Sequence, residues 1–179
     1  MAVRVNKSPI NIREKLNELD YAQVPYEKMP AGSVIQVATQ RATTSLETSS
    51  TSYVDIDDMT INFYPKYADS KVWINVMSHY YVQTSSANPW VAGWTGVQYQ
   101  LLSDVHGIII EDNGYGEALY TASSTQRYMG TKNFSIAHTP NTTGLIEYKV
   151  QGKAKGAAVR FHYDAYGLQG LITIMEIRQ

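Results

Sequence analysis

The side chains able to do chemistry are scattered along this chain. Four histidines, His79, His106, His138 and His162, fall in four separate segments. None of them forms the helical H-x-x-x-H spacing that turns two imidazoles toward one zinc ion. The ordinary reading is four separate imidazoles, and no metal is expected. There is no cysteine, which removes disulfides, thiolate ligands and cysteine nucleophiles together. Asp55, Asp57 and Asp58 form an acidic run that could attract a hard cation. They lack the ligand order of an EF-hand loop, and carboxylates at a strand end also keep a sheet edge soluble. Glu111 and Asp112 could be half of a glycosidase pair, a chemistry decided by carboxylate separation. A turn rich in Asp, Asn and Gly accounts for them without catalysis. No serine stands in a G-x-S-x-G elbow, and no phosphate-binding glycine loop leads into a helix. No catalytic residue and no cofactor is assigned, and the chain is not expected to be an enzyme.

Aromatic residues are the more informative set. Trp90 and Trp94 flank a short loop, and Tyr115, Tyr120 and Tyr128 punctuate a long irregular stretch over 112–129. Such rings stack on sugars or anchor protein contacts, because they combine rigid area with a polar edge. The same rings can instead close the open end of a sandwich or pack between subunits. Tyrosine is abundant, with 14 residues, and the formal net charge is -1. That balance gives no basic footprint for nucleic acid. No run approaches the ~20 apolar residues of a membrane span, so no membrane partner is expected. The first residues lack the apolar core of a secretory signal.

The elements that must carry these residues are mostly strands. Only residues 8–30 contain a helical pattern. Asn11 and Glu14 have capping-box spacing, and Ile12, Leu16 and Leu19 recur at i, i+4 and i+7. Two turns of helix are marginal alone, so this stripe requires a partner. Pro25, Pro30 and Gly32 mark an extended connector over 21–32. Residues 1–32 therefore form an arm, with Ile12, Leu16, Leu19, Val24 and Tyr26 as its anchoring residues.

From Ser33 onward, alternation predicts a strand over 33–41, one or two strands over 52–65, and a strand over 71–83. In the second, the inward residues change from Val54 and Ile56 to Met59, Ile61 and Phe63, which predicts a bulge at Asp57-Asp58. In the third, both faces are largely apolar, which predicts cover on both sides. Val97, Tyr99 and Leu101 point inward from a later strand, and "HGIIIED" is a short one. Four strands close the chain, and 43–52 reads as a polar loop. This is the spacing of an all-β sandwich over residues 33–179.

Three segments carry a resemblance. "MPAGSVIQVATQRAT" at 29–43, "TSYVDIDDMTINFYPKYADSKVWINVM" at 51–77, and "YKVQGKAKGAAVRFHYD" with "LITIMEI" within 148–177 resemble virion structural proteins of tailed bacteriophages. The likeness is to cyanophage proteins related to tail fibres and head-surface knobs. Residues 83–130 depart from the pattern, while "NKSPINIREKLNELD" also resembles the start of such proteins. The resemblance implies an antiparallel jelly-roll sandwich that trimerises, behind a short helix and an extended arm. It implies a place in the virion after assembly in the host cytoplasm, with the arm docked on another tail or head protein. A tail-fibre or tail-adaptor role is the first expectation. A receptor-binding module for host surface glycan, or a capsid decoration protein, is the alternative.

Overall fold

In a computed structural model, residues 25–84, 95–112, 118–119, 126–156 and 158–179 are described. The helix expected over 11–20, together with Ile12, Leu16, Leu19 and Val24, lies outside them, as do Trp90, Trp94, Tyr115 and Tyr120. Within the connector, Tyr26–Lys28 makes one 3-10 turn. Gly32 follows at φ 87°, a backbone setting that suits glycine.

The body is built of strands β1 (Val34–Ala42), β2 (Leu46–Thr48), β3 (Val54–Phe63), β4 (Lys71–Thr84), β5 (Thr95–Ser103) and β6 (Gly107–Glu111). There follow β7 (Ala118–Leu119), β8 (Gln126–His138), β9 (Ile146–Lys155), β10 (Val159–Phe161) and β11 (Gly170–Ile177). The larger sheet runs β1-β11-β4-β8, with β10 and β2 extending it beside the second half of β4. The smaller sheet runs β3-β9-β5, with β6 and β7 as two pieces of the next strand. Taking β1 with β2, β6 with β7 and β10 with β11, the four-strand orders are β1-β11-β4-β8 and β3-β9-β5-β6, and the chain crosses between the sheets at every step except β5 to β6. That is the jelly roll, reached from pairing alone.

Side-chain alternation explains why the sheets stack. Val72, Ile74, Val76, Tyr80 and Val82 of β4 face Val97, Tyr99 and Leu101 of β5 and Ile146, Tyr148 and Val150 of β9, all buried. Each such side chain gives roughly 1.5–3 kcal/mol when removed from water. Two rings fit only because glycine lies opposite them. A Cβ on Gly152 would strike the Phe161 ring, and one on Gly130 would strike Tyr80.

The bulge falls where the sequence places it. The β3–β9 register shifts between Asp55 and Thr60, and Asp58 sits at φ 61°. Asp tolerates this left-handed setting better than branched residues do. Its carboxylate accepts from the Thr44 hydroxyl and from the Thr44 N–H at 3.1 Å. The hydroxyl bond, with the backbone bonds, holds Asp58 below the usual carboxylate range. Ile56 before the bulge and Met59, Ile61 and Phe63 after it all reach the core.

Some expectations change. Residues 43–52 are not all loop, because Leu46–Thr48 pairs with β10. A second irregularity between Val34 and Gln36 leaves Ile35 buried and then turns Val37 outward. The third of the four strands expected to close the chain stops at Phe161, where His162 adopts φ 49° and a 3-10 turn follows at Asp164–Tyr166. The irregular stretch over 112–129 ends earlier than expected, since β8 begins at Gln126.

Candidate functional site

The outer faces of the two sheets differ sharply in chemistry. On the larger sheet, cross-strand register sets Val37, Met175, Trp73 and Ala137 in one row over four adjacent strands. Val37 is 57% exposed and Trp73 38%. The next row is Thr39, Thr173, Asn75 and Ser135, and the one after is Arg41, Leu171, Met77 and Asn133. Farther along β4, Tyr81 packs against Tyr163 and Tyr166 with ring centroids 5.3 and 5.8 Å away. Met129, 53% exposed, stands opposite Tyr81 on β8. Apart from the Tyr163 and Tyr166 rings over Tyr81, no described element covers this face, so within the chain the cover expected on the outer side of β4 is confined to that end.

The cations around this surface sit at its margins and are tied to neighbours. Arg41 donates to Gln169 at 2.7 Å, Lys71 to Thr139 at 2.6 Å, and Arg160 to Glu47 at 2.7 Å. Apolar rows divided by a neutral hydroxyl and amide row, with the charges at the margin, have the mixed and charge-depleted composition of a protein interface. Strands lie ~4.8 Å apart and rise ~3.4 Å per residue, so the region across β1, β11, β4 and β8 measures roughly 500 Å². That is the same order as the ~800 Å² each partner gives to a standard interface.

The smaller sheet presents a polar ladder instead. Register aligns Asp55, Gln151, Gln100 and Glu111 across it. Gln151 donates to Asp55 at 2.5 Å, and Gln100 donates to Gln151. Lys149 bridges Glu147 at 2.9 Å and Asp55 at 3.8 Å, and Lys153 lies 4.0 Å over the Tyr53 ring. Burial, with the carboxylates of Glu111 and Asp112 nearby, pushes the Tyr53 hydroxyl up to about 12. The acidic run does not converge on one point. Asp55 joins this ladder, Asp58 caps the bulge, and Asp57 is exposed. Among the described residues, no three His, Asp or Glu side chains are grouped so as to hold a metal ion.

The histidines form two pairs rather than four isolated groups. His106 and His138 meet edge to face at 5.4 Å, and His138 Nε2 lies 2.8 Å from the Tyr148 hydroxyl. Burial, then the neighbouring His106, lowers the His138 pKa. His79 Nδ1–H donates to the Gln169 carbonyl, while the His162 N–H donates to the His79 carbonyl at 3.1 Å. His162 Nε2 is 3.1 Å from Ser78 Oγ, which accepts from the Tyr99 hydroxyl at 3.1 Å. Ser78 and His162 are both fully buried between the sheets, so this serine–histidine pair has no path to a substrate. Its effect is to satisfy polar groups in the core. Burial, chiefly, lowers the His162 pKa to about 4.

Of the residues singled out from sequence, Tyr128 lies on β8 with its ring 6.0 Å from Tyr80, half-buried. Tyr26 opens the 3-10 turn before β1. Trp73, Met175 and the tyrosine cluster were not marked as a site by any local motif. Their signal was the second apolar stripe of β4, which gains meaning only once register joins it to β1, β11 and β8.

No family model matches the chain, and no curated protein matches it. Among solved structures, a chain of infectious bursal disease virus, Gx strain, is 14% identical with a TM-score of 0.33, over 80% of this chain and 36% of that one. A chain of the T13 IBDV viral particle gives 14% and 0.33, over 80% and 35%. Dimeric latent PorU from Porphyromonas gingivalis gives 14% and 0.29, over 83% and 14%. This chain spans little more than a third of those viral chains and far less of PorU. These likenesses are distant, and the assignment of the fold rests on the strand order.

Proposed function

We propose that this chain is a non-enzymatic structural protein of a virion. Sister copies pack through the outer face of the larger sheet, and residues 1–32 attach the assembly to the particle. The single observation behind this reading is the contrast between the faces. One face is saturated by its own polar ladder, while the other leaves Val37, Trp73 and Met129 uncovered. A sister copy is the natural occupant, because the region is of the same order as each partner's share of a standard interface and its charges lie at the rim. The resemblance to tailed-phage proteins supports the finer reading of a trimeric tail-fibre or tail-associated adaptor. The jelly-roll strand order is compatible with that role.

Deleting residues 1–30 tests the attachment. The truncated protein is expected to stay folded and oligomeric, and to be absent from particles when it replaces the full chain. Incorporation at wild-type occupancy would overturn the arm's role. A monomeric full-length protein at micromolar concentration would overturn the packing of sister copies.

A further inference from the structure

Among the described residues, the large apolar side chains left exposed fall into two sets. Val37, Trp73, Met129 and Tyr166 belong to the outer face of the larger sheet. Val34, Tyr64, Val105, Ile108 and Leu145 all lie at one end of the sandwich. This end carries the β3–β4 turn over 64–70, the β5–β6 turn over 104–106 and the β8–β9 turn over 139–145. It also carries the entry into β1 and the exit from β11. Along the smaller sheet the apolar set follows the strand order. Tyr64 extends β3, Leu145 precedes β9, Val105 follows β5 and Ile108 lies on β6. Phe63 pairs with Ile146, so Tyr64 and Leu145 are the next residues along two adjacent strands. Turns favour Gly, Pro, Asn, Asp and Ser, and a run of exposed Tyr, Val, Ile and Leu marks an interaction site instead.

Hydrogen bonds join the turns into one plate. The Asn141 N–H donates to the Ala68 carbonyl at 2.9 Å. The Asp104 N–H donates to the Glu147 carbonyl at 3.2 Å, and the Glu147 N–H donates back to the Asp104 carboxylate at 2.9 Å. Gln36 Nε2 donates to the Tyr64 carbonyl at 2.7 Å. A surface held in this way has little freedom to lose on docking. Its charges are spent within the chain or balanced. Glu147 pairs with Lys149, Lys71 donates to Thr139, and the Arg178 guanidinium lies over the Tyr67 ring. The exposed Glu27 and Lys28 offset each other, as do Lys66 and Asp69. What remains to be covered is apolar and carries no net charge.

The start of the chain selects the occupant. The connector reaches β1 at this end, where the Gly32 N–H donates to the Arg178 carbonyl, so the 24 residues before Pro25 join the body here. A component that holds those residues meets this end of the body first. With strands ~4.8 Å apart and sheets ~10 Å apart, the end measures roughly 300 Å², well under the ~800 Å² each partner gives to a standard interface. A second copy docked end to end would have only that small area. A partner already tethered through the arm adds the contact at high effective concentration.

Resting on the attachment reading above, we infer that this end is a second contact with the particle component that holds the arm, and that the component offers it a neutral, apolar protein surface. The test is hydroxyl-radical footprinting of the full-length protein, free and in purified particles, with buried Tyr148 as the internal standard. Tyr64 is 60% exposed, and its oxidation should fall about fivefold or more in particles and stay low in molar salt. Equal oxidation in both states overturns the contact, and protection that salt removes overturns its apolar chemistry. Tyr64 as unreactive as Tyr148 in the free protein also overturns it, because the chain's own residues or a sister copy would then cover this end. Tyr64→Asp with Leu145→Asp, in the full chain, should lower particle occupancy about tenfold and leave the oligomer intact; occupancy at the wild-type level overturns the proposal. The footprint decides alone where that variant does not fold. If the double variant incorporates normally while deletion of residues 1–30 still prevents incorporation, the attachment reading stands and this contact fails. If the deletion has no effect, the attachment reading itself fails.

Discussion

The outer faces of the two sheets share one geometry and differ in what they leave unfinished. On the smaller sheet, Gln100 donates a hydrogen bond to Gln151, and Gln151 donates one to the Asp55 carboxylate. Water can cover that face at no cost to any of them. On the larger sheet, the row at the same depth is Val37, Met175, Trp73 and Ala137, with no polar atom in any side chain but the indole N–H. Strand alternation alone does not distinguish the faces, since both are outward. The difference lies in which residues the chain spends on them, and the proposed packing of sister copies rests on it.

The largest effect is expected from charging the apolar row. Trp73→Glu with Met175→Glu should weaken association about a thousandfold, roughly 4 kcal/mol, as for the loss of central interface anchors. Sedimentation should show monomer, and far-UV circular dichroism should be unchanged. Lys153→Glu with Asn62→Glu, on the smaller sheet, should leave the oligomer intact. If both pairs dissociate it, or neither does, the contrast between the faces has no bearing on assembly.

Acid provides the next effect and separates loss of fold from loss of packing, because His162 lies between the sheets. Its folded pKa is about 4, below its ordinary value of 6.5. The unfolded chain therefore takes up the proton first as pH falls. Stability is full above about pH 6.5 and declines toward pH 4. The shift corresponds to roughly 3 kcal/mol at 1.36 kcal/mol per unit. Urea titrations of wild type and His162→Gln across that range check it, and the variant should show a flatter profile. The smallest effect is expected from the ladder. Gln100→Leu removes one side-chain bond beside a partner that water can reach, and should cost about 1 kcal/mol of unfolding free energy without altering association.

Much of the sandwich was legible because alternation is a strong signal when one face is buried. Val97, Tyr99 and Leu101 reach the core as read, and so do the residues on both sides of the Asp57-Asp58 bulge. Leu46–Thr48 was not legible. Its strand character comes from pairing with β10, more than a hundred residues later in the chain, and its own residues are mostly polar. Ile35 was hidden by a register shift that alternation cannot display. The apolar stripe on the outer side of β4 was visible and predicted cover, but nothing local in it said what would supply that cover. Glu176 is a similar case. It is a fully buried carboxylate near the end of β11, and it accepts from the Lys66 N–H at 2.9 Å, the Tyr67 N–H at 3.0 Å and Gln36 Nε2 at 2.5 Å. In the sequence it is one more charge in "TIMEIR"; in the fold it fastens the β3–β4 turn to the closing strand.

The corner where β1 begins has a mechanical consequence. Val34 pairs with Ile177, and just outside them the Gly32 N–H donates to the Arg178 carbonyl at 2.8 Å while the Arg178 N–H donates to that of Ser33 at 2.9 Å. Tension between the chain entering β1 and the chain leaving β11 would open these bonds one after another, like a zipper. Tension from the entering chain against the body pulls β1 along its own axis, so that its bonds to β11 resist together. A particle that holds the protein by residues preceding β1 thus applies its load in the direction in which the sheet is strongest.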